Sequence, residues 1–76
     1  MNQSERLVLQ AVATDGGWTM ASAVWWNITE PLSLPVVNQI LSELTEQGLA
    51  QRDRTHPYWR ATEAGKAALR AEADNR

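Results

Sequence analysis

Residues 34–62 hold the side chains best suited to chemistry. Asn38 and Gln39 carry amides, which can pair bidentately with N6 and N7 of adenine. Val36 beside them can touch a thymine methyl, and a good bidentate pair supplies ~1–3 kcal/mol of base discrimination. Pro35, Val36, Asn38, Gln39 and Ser42 are the outward positions of a helix whose buried stripe is Val37, Ile40, Leu41 and Leu44. Arg52, Arg54 and Arg60 follow, with His56 among them and Asp53 the only opposing charge. A guanidinium binds phosphate through two parallel hydrogen bonds, and an arginine at a loop tip can enter a narrow minor groove. His56 adds charge only when protonated. The plain alternative is solvation: a polar helix face for Asn38 and Gln39, and a surface pair with Asp53 for the arginines.

A reacting centre is not expected. The chain has no cysteine and one histidine, so thiolate chemistry and a Ser-His-Asp order both lack support. No glycine-rich phosphate loop and no HxxxH pair occurs. Glu43 and Glu46 stand at the i, i+3 spacing found on many solvated helices. The residues predict no enzyme, no cofactor and no metal.

At 76 residues the chain makes one domain, spanning 1–76, with little surface to bury and hence marginal stability. Four Trp and no Phe suggest that indoles supply much of the core. The net charge of −2 argues mildly against nucleic acid, but arginines concentrate between Gln51 and Arg60 while acids collect elsewhere. No apolar run approaches the ~18 residues of a membrane span. The start MNQSERLV lacks the form of a signal peptide. These features predict a soluble cytoplasmic protein with no membrane role.

The elements that must position these groups follow from periodicity. Asn2 and Glu5 have capping-box spacing before a helix over 3–13, with Leu7, Val8, Ala11 and Val12 at helical intervals. Asp15-Gly16-Gly17 ends it. Residues 18–20 suit a short edge strand, and Thr19 is a plausible cap for the next helix. Ala21, Val24, Trp25 and Ile28 would face inward, whereas Trp26 falls off that stripe. An exposed indole often marks an interface, the alternative being burial under the turn through Pro31. Packing is expected for Trp18, Trp25 and Trp59. Residues 27–33 form a turn, with Pro31 disfavouring helix at Glu30. Ser33 caps a helix over 34–47 that Gly48 closes, with Leu49 folding back as in a Schellman end. Strands at 49–53 and 58–61 flank a hairpin loop at 54–57. Thr62 caps a last helix from Glu63 to about Glu72, and 73–76 are expected to fray. Ala64, Ala68, Leu69 and Ala71 are assigned to one flank of that helix.

The pattern resembles a known family. The run Leu41-Ser42-Glu43-Leu44-Thr45-Glu46-Gln47-Gly48-Leu49 is similar to the LxxLxxxGL end of the recognition helix in bacterial winged-helix regulators. Thr62-Glu63-Ala64-Gly65-Lys66 is similar to the TxxG+ segment after the wing in MarR-type and PadR-type proteins. The likeness covers about residues 4–72. It departs in residues 28–33, which lengthen the turn, and larger members carry extra dimerisation helices. The resemblance implies an α+β, mainly helical, winged helix-turn-helix fold: a three-helix core, a two- to three-stranded wing and a C-terminal helix. It implies a small bacterial or phage transcription regulator, binding duplex DNA as a homodimer. The recognition helix over 34–47 would enter the major groove, and the wing over 52–60 would lie on backbone or minor groove. Ser33, Arg52, Arg54, His56 and Arg60 would then contact the DNA backbone.

A second reading uses the same fold for protein contact without DNA. Its support is the acidic balance, the acids on the third helix and Trp26; under the first reading Ala64, Ala68 and Ala71 of the last helix are the candidate dimer surface. Charge reversal at Arg52 and Arg54 would then leave function intact, and Trp26→Ala would remove it.

Overall fold

A computed structural model of the chain describes residues 2–29 and 31–74. Within them the order is α1 (Gln3–Asp15), β1 (Thr19–Met20), α2 (Ala21–Asn27), α3 (Leu34–Glu46), β2 (Ala50–Arg52), β3 (Tyr58–Ala61) and α4 (Glu63–Asp74). The result is a small α+β, mostly helical fold, with four helices and a three-stranded antiparallel sheet among the described residues.

Local chemistry fixes the start of α1. The Asn2 side chain accepts from the Glu5 N–H at 2.8 Å, and the Glu5 carboxylate accepts from the Asn2 N–H at 3.1 Å. This is the expected capping box. The helix runs two residues beyond Ala13 before Gly16 caps it. Val8 and Val12 are buried as the periodicity requires, and so is Leu9. A single apolar stripe could not show Leu9, because β3 and α4 cover further flanks of α1.

Thr19 does not cap α2. It is buried in β1 opposite Trp59, and the Met20 N-cap makes no side-chain bond. The ladder turns the Thr19 hydroxyl toward the interior, away from the free N–H groups of α2. In α2 itself, Ala21 and Val24 are buried and Ile28 packs at their edge. Trp25, expected inside, is 40% exposed. Its indole N–H donates to the Leu32 carbonyl at 2.6 Å, so the ring lies across the 28–33 turn instead of in the core. Trp18 is also outside, on the open face of the sheet. Among the four indoles only Trp59 is buried, and aliphatic residues from α1, α2 and α3 fill the rest of the core.

The stripe Val37, Ile40, Leu41 and Leu44 buries α3 as expected. Ser33 caps it, its hydroxyl accepting from Val36 N–H and its carbonyl from Val37 N–H. At the other end, Gly48 N–H donates to Thr45 O at 3.1 Å and Leu49 N–H to Leu44 O at 2.9 Å, the paired bonds of a Schellman motif. Gly48 has φ +78°, and a Cβ there would meet no atom within 4 Å. The cost of a side chain at Gly48 is therefore backbone strain alone. Gly48→Val should lower unfolding stability by about 1–2 kcal/mol, measured by denaturant titration; an unchanged midpoint would mean the turn does not need positive φ.

The sheet order is β1-β3-β2, with Arg52 opposite Trp59 and Gln51 opposite Arg60. Cross-strand partners share a face and successive residues alternate. Arg52 and Trp59 therefore sit on the core-side face, and Gln51 and Arg60 on the other. α4 continues through Asp74, beyond the expected end near Glu72, while Asn75, Arg76 and the helix break expected at Glu30 lie outside the described residues. Leu69 packs against the core, whereas Ala64 and Ala71 are exposed and Ala68 is half-buried. Among the described residues no helix is long and apolar enough to cross a membrane.

Candidate functional site

Burial of one α3 stripe forces the opposite side of that helix outward. Pro35, Val36, Asn38, Gln39 and Ser42 are all exposed, as is the Ser33 cap. The Asn38 amide donates to the Leu34 carbonyl at 3.3 Å, and the Gln39 amide to a Glu43 carboxylate oxygen at 3.5 Å. Both distances are long for N–H···O bonds, so re-aiming either amide costs little. Glu43 and Glu46 are exposed further along the helix and keep its C-terminal half acidic.

The loop joining β2 to β3 is organised by one carboxylate. Asp53 Oδ1 accepts from Thr55 N–H at 2.9 Å, from the Thr55 hydroxyl at 3.1 Å and from His56 N–H at 3.3 Å. Asp53 N–H in turn donates to Tyr58 O at 2.9 Å. The Thr55 N–H is the main reason the Asp53 carboxyl lies below its ordinary pKa, with burial opposing it and the Thr55 hydroxyl and His56 assisting. A lowered carboxyl pKa means the loop is held most firmly above the unfolded pKa. That hold is lost as pH falls through the folded value. Among the described residues Asp53 makes no ion pair with an arginine, the plain alternative for those cations: its side chain faces the loop, with His56 Nδ1 at 3.8 Å.

The arginines separate into two environments. Arg52 is exposed, with its guanidinium carbon 5.5 Å from the centre of the Trp59 ring and one N–H on the Asp53 carbonyl at 3.3 Å. Arg54, at the loop tip, is exposed and makes no hydrogen bond or ion pair among the described residues. Arg60 differs. It donates twice to Gln51 Oε1, at 3.1 and 2.9 Å, and lies 4.7 Å over Trp18. Because β2 ends at Arg52, strand alternation does not extend to Arg54 and does not define its face. His56 stacks on Tyr58 at 5.8 Å with its Nδ1 2.8 Å from the Thr55 hydroxyl.

Two features escaped the sequence pattern. The Trp18–Arg60–Gln51 cluster joins three segments, and only the strand register brings them together. The second is the junction of α4 with the turn that closes α3. Thr62 donates its hydroxyl to Gly48 O at 2.7 Å and accepts from Gly65 N–H at 3.0 Å, while Thr62 N–H bonds Leu49 O. The Thr-x-x-Gly spacing is thus a splice between the end of α3 and the start of α4. It locks the hairpin to the helix before it.

No group of three or more metal-binding side chains occurs among the described residues. No protein-family model, curated protein or solved structure matches the chain.

Proposed function

We propose that the chain is a winged helix-turn-helix domain that binds duplex DNA, with α3 reading the major groove and the β2–β3 hairpin lying along the backbone. The observation that carries this reading is the exposed side of α3. Five adjacent outward residues hold two loosely tied amides, one hydroxyl and one small branched apolar group, all free of burial. That mixture suits base edges, where amides meet adenine and a methyl meets thymine. The element order and the sheet order β1-β3-β2 support the fold assignment, with the β2–β3 hairpin as the wing. Ser33 stands exposed at the α3 N-terminus, where the helix dipole favours a phosphate, although Pro35 lacks an N–H and Ser33 itself accepts from the Val36 and Val37 N–H groups. Arg52 and Arg54 supply cations that no carboxylate neutralises among the described residues.

The test is selection of bound duplexes from a random pool, followed by titration of the enriched sequence. Wild type should enrich an adenine-containing motif. Asn38→Ala and Gln39→Ala should each lose roughly 1–3 kcal/mol of discrimination at one position and leave non-specific binding nearly unchanged. If no sequence is enriched and no duplex binds at low salt, the proposal fails. A second reading, contact with another protein, draws on Trp26, which is 80% exposed. It predicts that Trp26→Ala, and not the arginine variants, removes activity in the cell.

A further inference from the structure

The imidazole of His56 is held from several sides in the β2–β3 loop. Its backbone N–H donates to Asp53 Oδ1 at 3.3 Å, and its carbonyl accepts from Tyr58 N–H at 2.8 Å. Pro57 between them fixes one backbone dihedral. The ring stacks on Tyr58, with centres 5.8 Å apart and planes at 18°. Its Nδ1 lies 2.8 Å from the Thr55 hydroxyl, which lies 3.1 Å from Asp53 Oδ1. These last two contacts decide where the ring carries its hydrogen. A hydroxyl has one hydrogen to give, and an ionised carboxylate can only accept. The Thr55 hydrogen therefore goes to Asp53, and Nδ1–H must donate to the Thr55 oxygen if both contacts are hydrogen bonds. Nδ1 is also 3.8 Å from Asp53 Oδ1, which favours a hydrogen on that nitrogen. Asp53 stays ionised through the range in which histidines change charge, because the Thr55 N–H holds its carboxyl below the ordinary value. Nε2 is left as the outward group. The side chain is 65% exposed, and Nε2 makes no hydrogen bond among the described residues. In the neutral ring this nitrogen is an acceptor, which a phosphate oxygen cannot satisfy. In the protonated ring it is a donor, on the same hairpin as Arg52 and Arg54.

We propose that His56 makes duplex binding proton-linked: Nδ1 stays anchored through Thr55 to Asp53, while Nε2 takes up a proton from water and donates it in a hydrogen bond to a DNA phosphate. This rests on the duplex-DNA reading above and adds its control by pH. A ligand that prefers the protonated ring binds more tightly as pH falls, and imidazoles change charge between about pH 5 and 8. The charged and titratable groups around the ring are few. Asp53 attracts a positive charge on it, Arg52 and Arg54 of the hairpin repel one, and Tyr58 presents its ring face. No hydrogen bond, ion pair or ring contact joins His56 to a helix among the described residues. A phosphate drawn in by the arginines offsets their repulsion, so binding itself promotes uptake of the proton. Thr55 is a positioning residue in this scheme, since it fixes which nitrogen faces outward.

Titration of the full chain against a random-sequence duplex at low salt, at about pH 5.5 and about pH 8, tests this. Wild type should bind roughly tenfold tighter at the lower pH, as one added hydrogen bond from a charged group allows, and its salt slope should steepen by about 0.9. His56→Ala should gain less than about twofold over the same interval, having no proton to take up. Thr55→Val keeps the imidazole but removes its anchor, and should lose most of the gain. In the free chain, without DNA, the nitrogen NMR spectrum of the imidazole at about pH 8 should show its hydrogen on Nδ1. An equal gain in wild type and His56→Ala overturns the proposal and leaves duplex binding standing. A gain untouched in Thr55→Val, or a neutral ring with its hydrogen on Nε2, does the same. Absence of duplex binding at either pH overturns it together with the reading on which it rests.

Discussion

Gly65→Ala should destabilise the fold by about 2 kcal/mol, although alanine is the better helix former. Two effects oppose each other at this position. Exchanging glycine for alanine inside a helix ordinarily gains ~1 kcal/mol. Against that, Gly65 is buried, and a Cβ on it would collide with the carbonyl oxygen of Leu49, with Leu9 Cδ1 only 3.3 Å away. The Leu49 oxygen cannot swing aside cheaply, because it accepts the Thr62 N–H at 3.1 Å and belongs to the turn that closes α3. Backbone must move, or α4 must lift from the turn at Leu49. Overpacking of this kind costs roughly 1–3 kcal/mol and sometimes more, and a fixed carbonyl puts this case at the upper end. In a chain of 76 residues that is a large share of the total stability. Urea titration of the two proteins measures it. Equal midpoints would mean that α4 does not approach the Leu49 carbonyl as closely as described. The contrast with Gly48 is informative, since both glycines are needed, one for its dihedral and the other for its missing Cβ.

How much of this was legible in the sequence depended on whether the cause was local. Most caps and stripes are local, and these were readable: Asn2 with Glu5, Ser33 before Pro35, the α3 stripe, Thr62 before Glu63, and the bonds around Gly48, whereas the cap expected of Thr19 was overridden by its place in β1. The indoles were not. Periodicity assigned Trp25 to the interior because it lies on the stripe of Ala21 and Val24. A seven-residue helix cannot bury every position of its stripe when the chain turns away after Asn27. Trp18 was expected to pack, and it packs against Arg60 on the open face instead of in the core.

The candidate site shows the same division. That Pro35, Val36, Asn38, Gln39 and Ser42 stand outward follows from the helix period, and the structure has them exposed. The difference between Arg60 and its neighbours does not follow from the sequence. It depends on the register that pairs Arg60 with Gln51 and Arg52 with Trp59, and register is a tertiary fact. The use of the Asp53 carboxylate was likewise hidden, because an Asx turn and a surface ion pair draw on the same side chain.

That separation of the arginines gives the second large effect. Arg52→Ala combined with Arg54→Ala should weaken duplex binding about 100-fold at low salt, and Arg60→Ala alone much less. Each phosphate contact releases counterions and contributes about 0.9 to the slope of log affinity against log salt. Losing two contacts should therefore flatten that slope by roughly 1.8. A hydrogen bond to a charged group is worth about 1.5–3 kcal/mol, so a tenfold loss per arginine is a conservative reading. Arg52 needs a control, because its guanidinium also lies over Trp59 at 5.5 Å. Losing that contact costs only ~0.5–1 kcal/mol of stability, which a thermal midpoint will register separately from affinity. Arg60 is already committed to Gln51 and Trp18 on the other face, so a small effect there is the internal check. The measurement is a titration of wild type and variants against one duplex at four salt concentrations. An unchanged slope in the double variant removes the hairpin from the interface. An Arg60→Ala loss as large as that of the double variant means that the opposite face of the sheet, and not the one bearing Arg52, meets the phosphates.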